Sequence, residues 1–382
     1  MILLLKHSYR KTLRWLELLP AKLEGFKTYL AEWYAIYRKA PLYRHIKWSK
    51  NQQEEFDQYW TQIYGKKISN RWHKLYQSFN GTFCVDYIPE MLYTTKIEPL
   101  LNDRVYAKVL EDKSFINTLC AGETVVVPKT ICVCSAGRFF DGDFRLITKS
   151  EAVECLKRER NIVIKPTVGS SSGKGILFLP CSADIGKAEL DLILTEAGND
   201  AIVQKCITPH PDFARFNRTS INTIRIITYI INEKMNHVPL AFRIGREGKQ
   251  VDNIHAGGIV VGVHDDGTLL DLGYELGYGD TTKTYTNHPD NGVRFAGFKL
   301  PCIPQIIDAA YRIHGKMPHT GIVSWDFTVN EKEEVVLIEA NIMGQSAWFP
   351  QIIHGKGLFG EDTAVVLKAI KGNKGETDGN QA

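Results

Sequence analysis

The chain has 382 residues, of which 44% are hydrophobic and 24% charged, a composition typical of a folded globular protein. That length exceeds one small domain and predicts two or three. Its apolar runs fall short of the roughly 18 residues that a membrane span needs. The formal net charge of +4 indicates no particular class of partner, and nucleic acid is not expected.

The cysteines and the first residues bear on the cellular setting. The eight cysteines are scattered, without a CxxC motif or a paired metal-ligand spacing. Several sit in apolar runs such as FCVDYI and TICVCSA, where cysteine usually acts as a small buried side chain. The opening MILLLK has too short an apolar run for a signal peptide. These features predict a cytoplasmic protein with reduced thiols, and leave peripheral contact with the inner face of the membrane open.

Residues 1–100 are predicted to form a basic, aromatic-rich helical region. Residues 1–50 carry eleven Lys or Arg and three Glu, a local charge of +8 that leaves −4 for the remainder. This basic head could contact phosphates, an anionic membrane, an acidic glycan or a glycosyltransferase partner, or it could be a solvated helix face. Apolar side chains recur at helical spacing, and we interpret their aromatic density as helix packing. They are Leu23, Phe26, Leu30, Trp33 and Tyr37 in one segment, Phe56, Tyr59, Trp60 and Ile63 in a second, and Trp72, Leu75 and Phe79 in a third.

From about residue 100 short β-rich runs alternate with helical stretches, which predicts an α+β region. Candidate helices lie at 103–120, 183–198, 303–317 and 361–371. We predict one α+β domain over 101–372, made of a first subdomain (101–205) and a second subdomain (206–372). The segment 373–382 has almost no apolar residues and predicts a disordered tail.

The segment NIVIKPTVGSSSGKGILFL (161–179) places Lys165 on an apolar strand, ahead of a loop rich in glycine and serine. A Walker loop needs GxxxxGK[ST] opening a helix, whereas a strand follows here, so that interpretation fails. We predict a hairpin loop that offers N–H and hydroxyl groups to β- and γ-phosphates, with an ordinary hairpin turn as the alternative. The loop residues concerned are Gly169, Ser170, Ser171, Ser172, Gly173 and Lys174.

The segment SWDFTVNEKEEVVLIEANI (324–342) predicts a metal site. If it forms a hairpin turning near 332–333, Asp326 lies opposite Glu339, and Asn341 shares their face. Two carboxylates facing each other inside apolar strands repel unless a cation lies between them. Oxygen ligands of this kind suit Mg²⁺. The alternative is an isolated hydrophilic strand face.

Two further patches are candidates for ligand contacts. In QKCITPHPDF, the backbone at 205–207 could bind an adenine and Asp212 a ribose hydroxyl. Arg225 and Arg243 lie on apparently buried strands, where an unpaired guanidinium is costly. We predict that they bind a carboxylate or phosphate, with a structural ion pair as the alternative. The glycine-rich DNIHAGGIVVGV (252–263) is expected to shape the acceptor pocket, with His255 in a structural role.

The order of these parts resembles the ATP-grasp superfamily, and most closely its sugar-transfer-associated family. The segments that carry the resemblance are IEPLLNDRVYAKVLEDK, SINTIRIITY, NHPDNG and SWDFTV…IEAN, and it extends over roughly residues 60–370. It implies an ATP-grasp fold, two α/β subdomains enclosing MgATP with one or two Mg²⁺ ions. It implies that Lys113 is an early helical lysine and Lys165 the strand lysine. The adenine hinge would contain Gln204, Lys205 and Ile207, and the metal ligands would be Asp326, Glu339 and Asn341. Gln204 stands where many relatives have Glu.

The resemblance further implies an ATP- and Mg²⁺-dependent carboxylate–amine (or thiol) ligase that forms ADP through an acyl phosphate. Its substrate would be a cell-surface polysaccharide sugar or precursor. Lys113, Lys165 and Lys174 would neutralise phosphates, and Arg225 and Arg243 would orient the acceptor. Two alternatives stay open: a small-molecule or sugar kinase on the same scaffold, and a non-catalytic nucleotide-binding docking module.

Overall fold

The computed structural model describes residues 23–169, 175–179, 185–276 and 283–379, with side chains as far as Lys371. They form two compact units. One consists of the described residues up to Leu100 together with those from Ser346 onwards, and the other of Leu101–Gln345. A search of the described helices found none with the length and hydropathy of a membrane span.

Helices dominate the start of the described chain and recur at its end. They are α1 (23–38), α2 (Ala40–Tyr43), α3 (Lys50–Tyr64), α4 (Arg71–Asn80), α5 (Glu90–Leu92), a π-helix (Tyr93–Ile97), α6 (Glu98–Leu101), α7 (Arg104–Leu110), α8 (Ile116–Leu119), α9 (Lys149–Lys157), α10 (Lys187–Glu196), α11 (Pro211–Ala214), α12 (Ile303–His314), α13 (Trp348–His354) and α14 (Thr363–Gly379). Short 3-10 turns lie at Ile254–Ala256 and Gly360–Asp362.

Aromatic side chains build the core of the first unit. A capping box between Ser49 and Gln52 starts α3, because each side chain accepts a hydrogen bond from the other residue's backbone N–H. Phe56 and Trp60 of α3 are fully buried. The ring of His73 on α4 lies 4.7 Å from that of Phe56 and 5.6 Å from that of Trp60, centroid to centroid. Here the predicted helix packing is confirmed.

The same prediction is wrong for α1. Leu23, Phe26, Leu30, Trp33 and Tyr37 are all exposed, between 46% and 59% of their full surface. Helical periodicity shows that such side chains share a face, but it does not show whether that face meets the protein or the solvent. In α1 it meets the solvent.

The last helix continues into the segment that was expected to be a disordered tail. α14 extends as far as Gly379, so residues 373–379 are helical, whereas 380–382 lie outside the described residues. A lack of apolar residues argues against a packed core. It does not stop a helix that has already begun, because each added residue gains one backbone hydrogen bond.

The second unit contains two antiparallel sheets. Their strands are β1 (Thr130–Ser135), β2 (Arg138–Asp141), β3 (Leu146–Ile147), β4 (Ile162–Pro166), β5 (Leu177–Leu179), β6 (Ala201–Lys205), β7 (Thr223–Ile231), β8 (Lys234–His237), β9 (Leu240–Ile244), β10 (Ile259–Val263), β11 (Leu269–Glu275), β12 (Lys283–Tyr285), β13 (Ile322–Val329) and β14 (Val335–Asn341). Among the described residues, the smaller sheet has the order β3-β2-β1-β6-β4-β5. The larger sheet has the order β12-β11-β10-β9-β7-β13-β14, with β8 beside β7.

Helices cover each sheet and complete an α+β architecture, as predicted. α9 and α10 bury Leu156 and Leu190 with the core of the smaller sheet. α12 buries Ile306 and Ile313 with the core of the larger sheet. β4 and β5 pair antiparallel, so the glycine-serine segment joins two strands.

The predicted helix 103–120 and the predicted position of Lys113 on a helix both need correction. The candidate helix 103–120 is interrupted between α7 and α8, and Lys113 lies in that interruption rather than on a helix. Its backbone N–H donates to the carbonyl of Thr167, outside any helical pattern. Helix periodicity could not reveal this break, because the segment contains neither proline nor glycine.

The β13–β14 hairpin has the predicted register. Asp326 pairs with Glu339 and Ser324 with Asn341. A β-bulge follows, because Phe327 pairs with Leu337 and leaves Ile338 as an extra residue. Directly before Asp326, the buried Trp325 donates from Nε1 to Oγ1 of Thr228 at 2.8 Å.

Candidate active site

A cavity of about 290 Å³ lies within the second unit, and both sheets contribute to its lining. The smaller sheet and its hairpin supply Val163, Lys165, Gly169, Ile176 and Phe178. The larger sheet and the adjoining turns supply Thr223, Arg225, Arg243, Asp252, Asn253, Asp326, Glu339 and Asn341. The turn between α7 and α8 adds Glu111 and Lys113. Most of the charged residues predicted from the sequence therefore meet in one place.

Asp326 is held by two arginines from neighbouring strands. Arg225 on β7 donates from Nε to Oδ1 at 2.5 Å and from Nη2 to Oδ2 at 2.8 Å. Arg243 on β9 donates from Nη1 to Oδ2 at 3.0 Å. Burial alone would raise the pKa of the Asp326 carboxyl, but the two guanidinium groups outweigh it and lower that pKa. Asp326 is therefore an anion compensated on both oxygens.

Arg243 bridges Asp326 to a second buried carboxylate. Its Nη2 donates to Oδ1 of Asp252 at 3.1 Å. The other oxygen of Asp252 accepts from the backbone N–H of Thr223 at 3.1 Å and from the Thr223 hydroxyl at 2.5 Å. Burial raises the pKa of Asp252, although Arg243 opposes the shift. Desolvation disfavours the charged form of Arg243, but the two carboxylates prevail and raise its pKa.

The two predicted lysines lie close to Glu339. Nζ of Lys113, whose side chain is only 3% exposed, lies 3.0 Å from Oε1 of Glu339. Lys165 is buried on β4. Burial, with the nearby charge of Lys113, lowers the pKa of Lys165 to about 8, and Glu339 opposes this shift. An anion bound beside Lys165 would favour the charged form of this lysine.

This geometry changes the reasoning behind the metal site. The sequence argument needed a cation between Asp326 and Glu339 to relieve their repulsion. In the structure protein cations already compensate both carboxylates, the arginines at Asp326 and Lys113 at Glu339. Cross-strand partners were not visible in the sequence, because Arg225 and Asp326 are 101 positions apart.

The donor set nevertheless fits Mg²⁺. Asp326, Glu339 and Asn341 provide oxygen atoms from paired strands to one cavity, and hard oxygen ligands are those that Mg²⁺ prefers. Asn341 donates weakly from Nδ2 to the carbonyl of Ser324, at 3.4 Å. The described residues contain no cluster of three or more His, Cys, Asp or Glu that could hold a metal ion. A Mg²⁺ site in this cavity would therefore also need the side-chain amide of Asn341 and the oxygen atoms of bound phosphates.

The predicted adenine and ribose residues are not among those that line the cavity. Gln204 is buried on β6, and its Nε2 donates to the carbonyl of Pro128 at 3.2 Å. Its Oε1 is buried without a hydrogen-bond partner among the described residues, so it can accept from a ligand amino group. Lys205 ends β6, Ile207 follows it, and Asp212 lies at the start of α11, 3.7 Å from Nδ1 of His210.

The centre of the predicted phosphate loop lies outside the described residues. This applies to Ser170, Ser171, Ser172, Gly173 and Lys174. Gly169, at its near end, lines the cavity with a φ of +71°, a conformation that favours glycine.

Sequence reasoning missed Glu111 and the structural task of Asp252. Oε1 of Glu111 accepts from the backbone N–H groups of Ile342 and Met343, at 2.8 and 2.7 Å, and so fixes the chain directly after Asn341. A single Glu in a segment read as helical gives no signal of such a role. Asp252 was expected only to shape the acceptor pocket.

The motif NHPDNG has a structural role at the end of β9. Asp290 forms a bidentate ion pair with Arg246, which includes an Nη2–Oδ1 distance of 2.7 Å. The amide of Asn291 donates to the carbonyls of Arg215 and Phe216, both at 2.8 Å. The motif therefore fixes the backbone just beyond Arg243 and lies outside the cavity lining.

Several solved structures are similar to this chain at low identity. They include the VanG D-Ala:D-Ser ligase from Enterococcus faecalis (15% identity, 71% of this chain and 63% of that chain, TM-score 0.41). The D-alanyl-alanine synthetase A from Vibrio cholerae has 12% identity, over 69% and 65% of the chains, with a TM-score of 0.41. The biotin carboxylase from Campylobacter jejuni has 13% identity, over 71% and 48%, with a TM-score of 0.41. The chain spans less than two thirds of each of these structures. No curated protein matches it.

A protein-family comparison gives the stronger result. The model described as "Sugar-transfer associated ATP-grasp" matches residues 93–371, which is well over half of the chain and includes the whole cavity. The family assignment agrees with the two-sheet architecture and with the ordered lysines, carboxylates and asparagine around that cavity. The chain therefore has the ATP-grasp fold and belongs to the sugar-transfer-associated ATP-grasp family.

Proposed function

We propose that the protein is an ATP- and Mg²⁺-dependent ligase that joins a carboxylate to an amine or thiol and forms ADP and phosphate. The observation that carries this proposal is the cavity itself. Four cations, Lys113, Lys165, Arg225 and Arg243, meet the oxygen donors of Asp326, Glu339 and Asn341 there. Such a set suits the transfer of a phosphoryl group, which depends mainly on positioning and charge neutralisation.

The lysines are proposed to bind the nucleotide phosphates. Lys113 and Lys165 project into the cavity from the α7–α8 turn and from β4, and Lys174 is expected to join them from the hairpin loop. Mg²⁺ held by Asp326, Glu339 and Asn341 would supply further charge neutralisation at the phosphates. Gln204 would accept a hydrogen bond from the adenine amino group, with the backbone of Lys205 and Ile207 and the carboxylate of Asp212 completing nucleoside recognition.

The arginines are proposed to bind the acceptor carboxylate. One of its oxygens attacks the γ-phosphorus of ATP, a P–O bond to ADP breaks, and an acyl phosphate forms. The amine or thiol then attacks the carbonyl carbon, phosphate leaves with the bonding electrons, and the nucleophile loses its proton to solvent. Arg225 and Arg243 can stabilise both the carboxylate and the acyl phosphate, since guanidinium groups bind planar oxyanions in a bidentate way.

The substrate class is proposed from the family. Its description as sugar-transfer-associated supports a sugar acid or a precursor of a cell-surface polysaccharide as the carboxylate or amine partner. A panel of sugar acids and amino compounds, incubated with ATP and Mg²⁺, tests this proposal by mass spectrometry. An amide or thioester with free phosphate supports a ligase. A stable phosphorylated sugar supports a kinase instead, and nucleotide binding without any turnover supports a docking module.

The metal assignment gives the first prediction. Replacing Asp326 by Asn, or Glu339 by Gln, removes a ligand charge while keeping the shape of the side chain. We expect Mg²⁺ to strengthen ATP binding in the unchanged protein and to lose at least about tenfold of that effect in either variant. Calorimetric titration of ATP with and without Mg²⁺ measures it. Identical magnesium dependence in all three proteins would show that the metal lies elsewhere.

A further inference from the structure

We propose that α1 binds the surface of an anionic lipid bilayer. The observation is an exposed apolar face, called here the α1 aromatic face, whose members share one property: each is at least 45% exposed. They are Leu23, Phe26, Tyr29, Leu30, Trp33, Tyr34 and Tyr37. Contiguous apolar surface of this kind usually marks an interaction site.

The orientation of α1 is the reverse of an ordinary amphipathic helix. The α1 side chains that are shielded from solvent are those of Ile36, which is buried, and of Thr28, Glu32 and Ala35, which are half-buried. A helix whose only task is to complete a core would bury its largest apolar side chains instead. Trp33 and Tyr37 also stack on each other at 5.8 Å, so part of the face is ordered before any partner arrives.

Charge favours an anionic surface as the occupant. Among the described residues 23–50, one exposed side chain is negatively charged, Glu24, and five exposed side chains are positively charged. The five are Lys27, Arg38, Arg44, Lys47 and Lys50. Residues 1–50 as a whole carry +8, and the rest of the chain carries −4. Lys27 and Arg38 lie on α1 itself, and basic residues beside an apolar helix face are attracted to anionic lipid headgroups.

The chemistry of the face also suits lipid. Five of its seven members are aromatic, and three of these are tyrosines, which combine an apolar ring with a polar hydroxyl. Tryptophan and tyrosine are enriched where a protein meets the headgroup region of a bilayer. A helix carrying them lies in the plane of the interface and does not cross the bilayer, which agrees with the absence of a membrane-span helix among the described residues.

The test compares binding of the full chain to two kinds of vesicle, phosphatidylcholine alone and an equal mixture with phosphatidylglycerol. We expect binding to the mixed vesicles, weakening with added salt, and at least about tenfold less binding to the neutral ones. The double variant Phe26→Ser/Trp33→Ser should lose at least about tenfold of the binding to mixed vesicles. The matched control is Val105→Ser/Val109→Ser, two exposed apolar residues of α7 in the other unit. It should bind within about twofold of the unchanged protein.

Unaltered far-ultraviolet circular dichroism and thermal unfolding show that each variant is folded. If Phe26→Ser/Trp33→Ser does not fold, the salt and lipid dependence of the unchanged chain still decides the question. Equal binding to both vesicles, no binding, or undiminished binding by the folded double variant overturns the proposal. So does a dimer in sedimentation that the double variant abolishes, because the occupant is then a second copy. The proposal is independent of ligase activity, since the cavity lies entirely in the other unit.

Discussion

At the scale of single residues, the proposed site is an ion-pair network that a bound metal ion would rearrange. Both oxygens of Asp326 are engaged by arginines, and Glu339 is engaged by Lys113. A metal ion at these carboxylates competes with those contacts. Each cation that is displaced becomes available to a phosphate or a carboxylate in the same cavity. Metal and anion binding are therefore expected to support each other.

Asp252 shares Arg243 with Asp326. The substitution Asp252→Asn removes one of the two carboxylates that share Arg243, so the guanidinium should bind Asp326 more tightly. We expect the Mg²⁺ concentration for half-maximal ATP binding to rise by about three- to tenfold, while metal-free ATP binding changes by less than about twofold. Calorimetry at several Mg²⁺ concentrations measures both.

The matched control is Asp290→Asn, which releases Arg246 from a comparable ion pair outside the cavity lining. It should leave the magnesium dependence unchanged. Equal shifts in the two variants would mean that lost stability, rather than the pairing of Arg243, is responsible.

Lys165 predicts a pH dependence of nucleotide binding. Its pKa is lowered to about 8, chiefly by burial, so in the ligand-free protein the ammonium loses its proton as the pH rises through 8. Binding that requires the charged form must then take up a proton. Affinity for ATP should fall by up to about tenfold per pH unit above pH 8 and stay flat below it. In Lys165→Arg the guanidinium remains charged, and the decline should disappear. A decline of the same size in both proteins would assign it to another group.

At the scale of elements, the register of β13–β14 was predictable and the partners of its residues were not. Alternation along a hairpin places Asp326 opposite Glu339 by local geometry alone. The neighbours of β13 depend on the order of strands in the sheet, which brings β7 and β9 beside it from far earlier in the chain. Lys113 was misplaced for the same reason. The turn that carries Lys113 is held by a hydrogen bond from its backbone N–H to the carbonyl of Thr167, which directly follows β4.

In the glycine-rich segment before β10, the backbone at Gly258 lies close to the backbone of Asp252 and Asn253. A Cβ at Gly258 would lie 2.6 Å from the carbonyl oxygen of Asp252 and 2.8 Å from that of Asn253. Gly258→Ala should therefore shift this turn and move Asp252 away from Arg243. We expect about 1–3 kcal/mol less unfolding free energy and weaker magnesium dependence. Gly186→Ala is the control, because a Cβ there meets no atom within 4 Å and its φ of −64° suits any residue. Stability and magnesium dependence unaffected by Gly258→Ala would contradict this account.

At the scale of the whole molecule, the cavity proposed as the ligand site belongs to one unit. The cavity is lined by residues between Glu111 and Gly344, all within Leu101–Gln345. MgATP at about 100 times its dissociation constant should raise the unfolding free energy of that unit by about 2.7 kcal/mol. Scanning calorimetry measures this rise, and Asp326→Asn should abolish the magnesium-dependent part. No shift with MgATP would contradict nucleotide binding by the folded chain.

The distribution of tryptophan has a practical consequence. The chain has seven tryptophans, and Trp325 is the one that falls within residues 101–345. It is buried directly before Asp326, and its indole N–H donates to Thr228, which in turn contacts Nδ1 of His314 at 2.7 Å. A version of the chain that keeps this tryptophan alone would have a natural fluorophore on the strand that carries Asp326. The arrival of nucleotide could then be followed in real time by stopped-flow emission, without any attached dye.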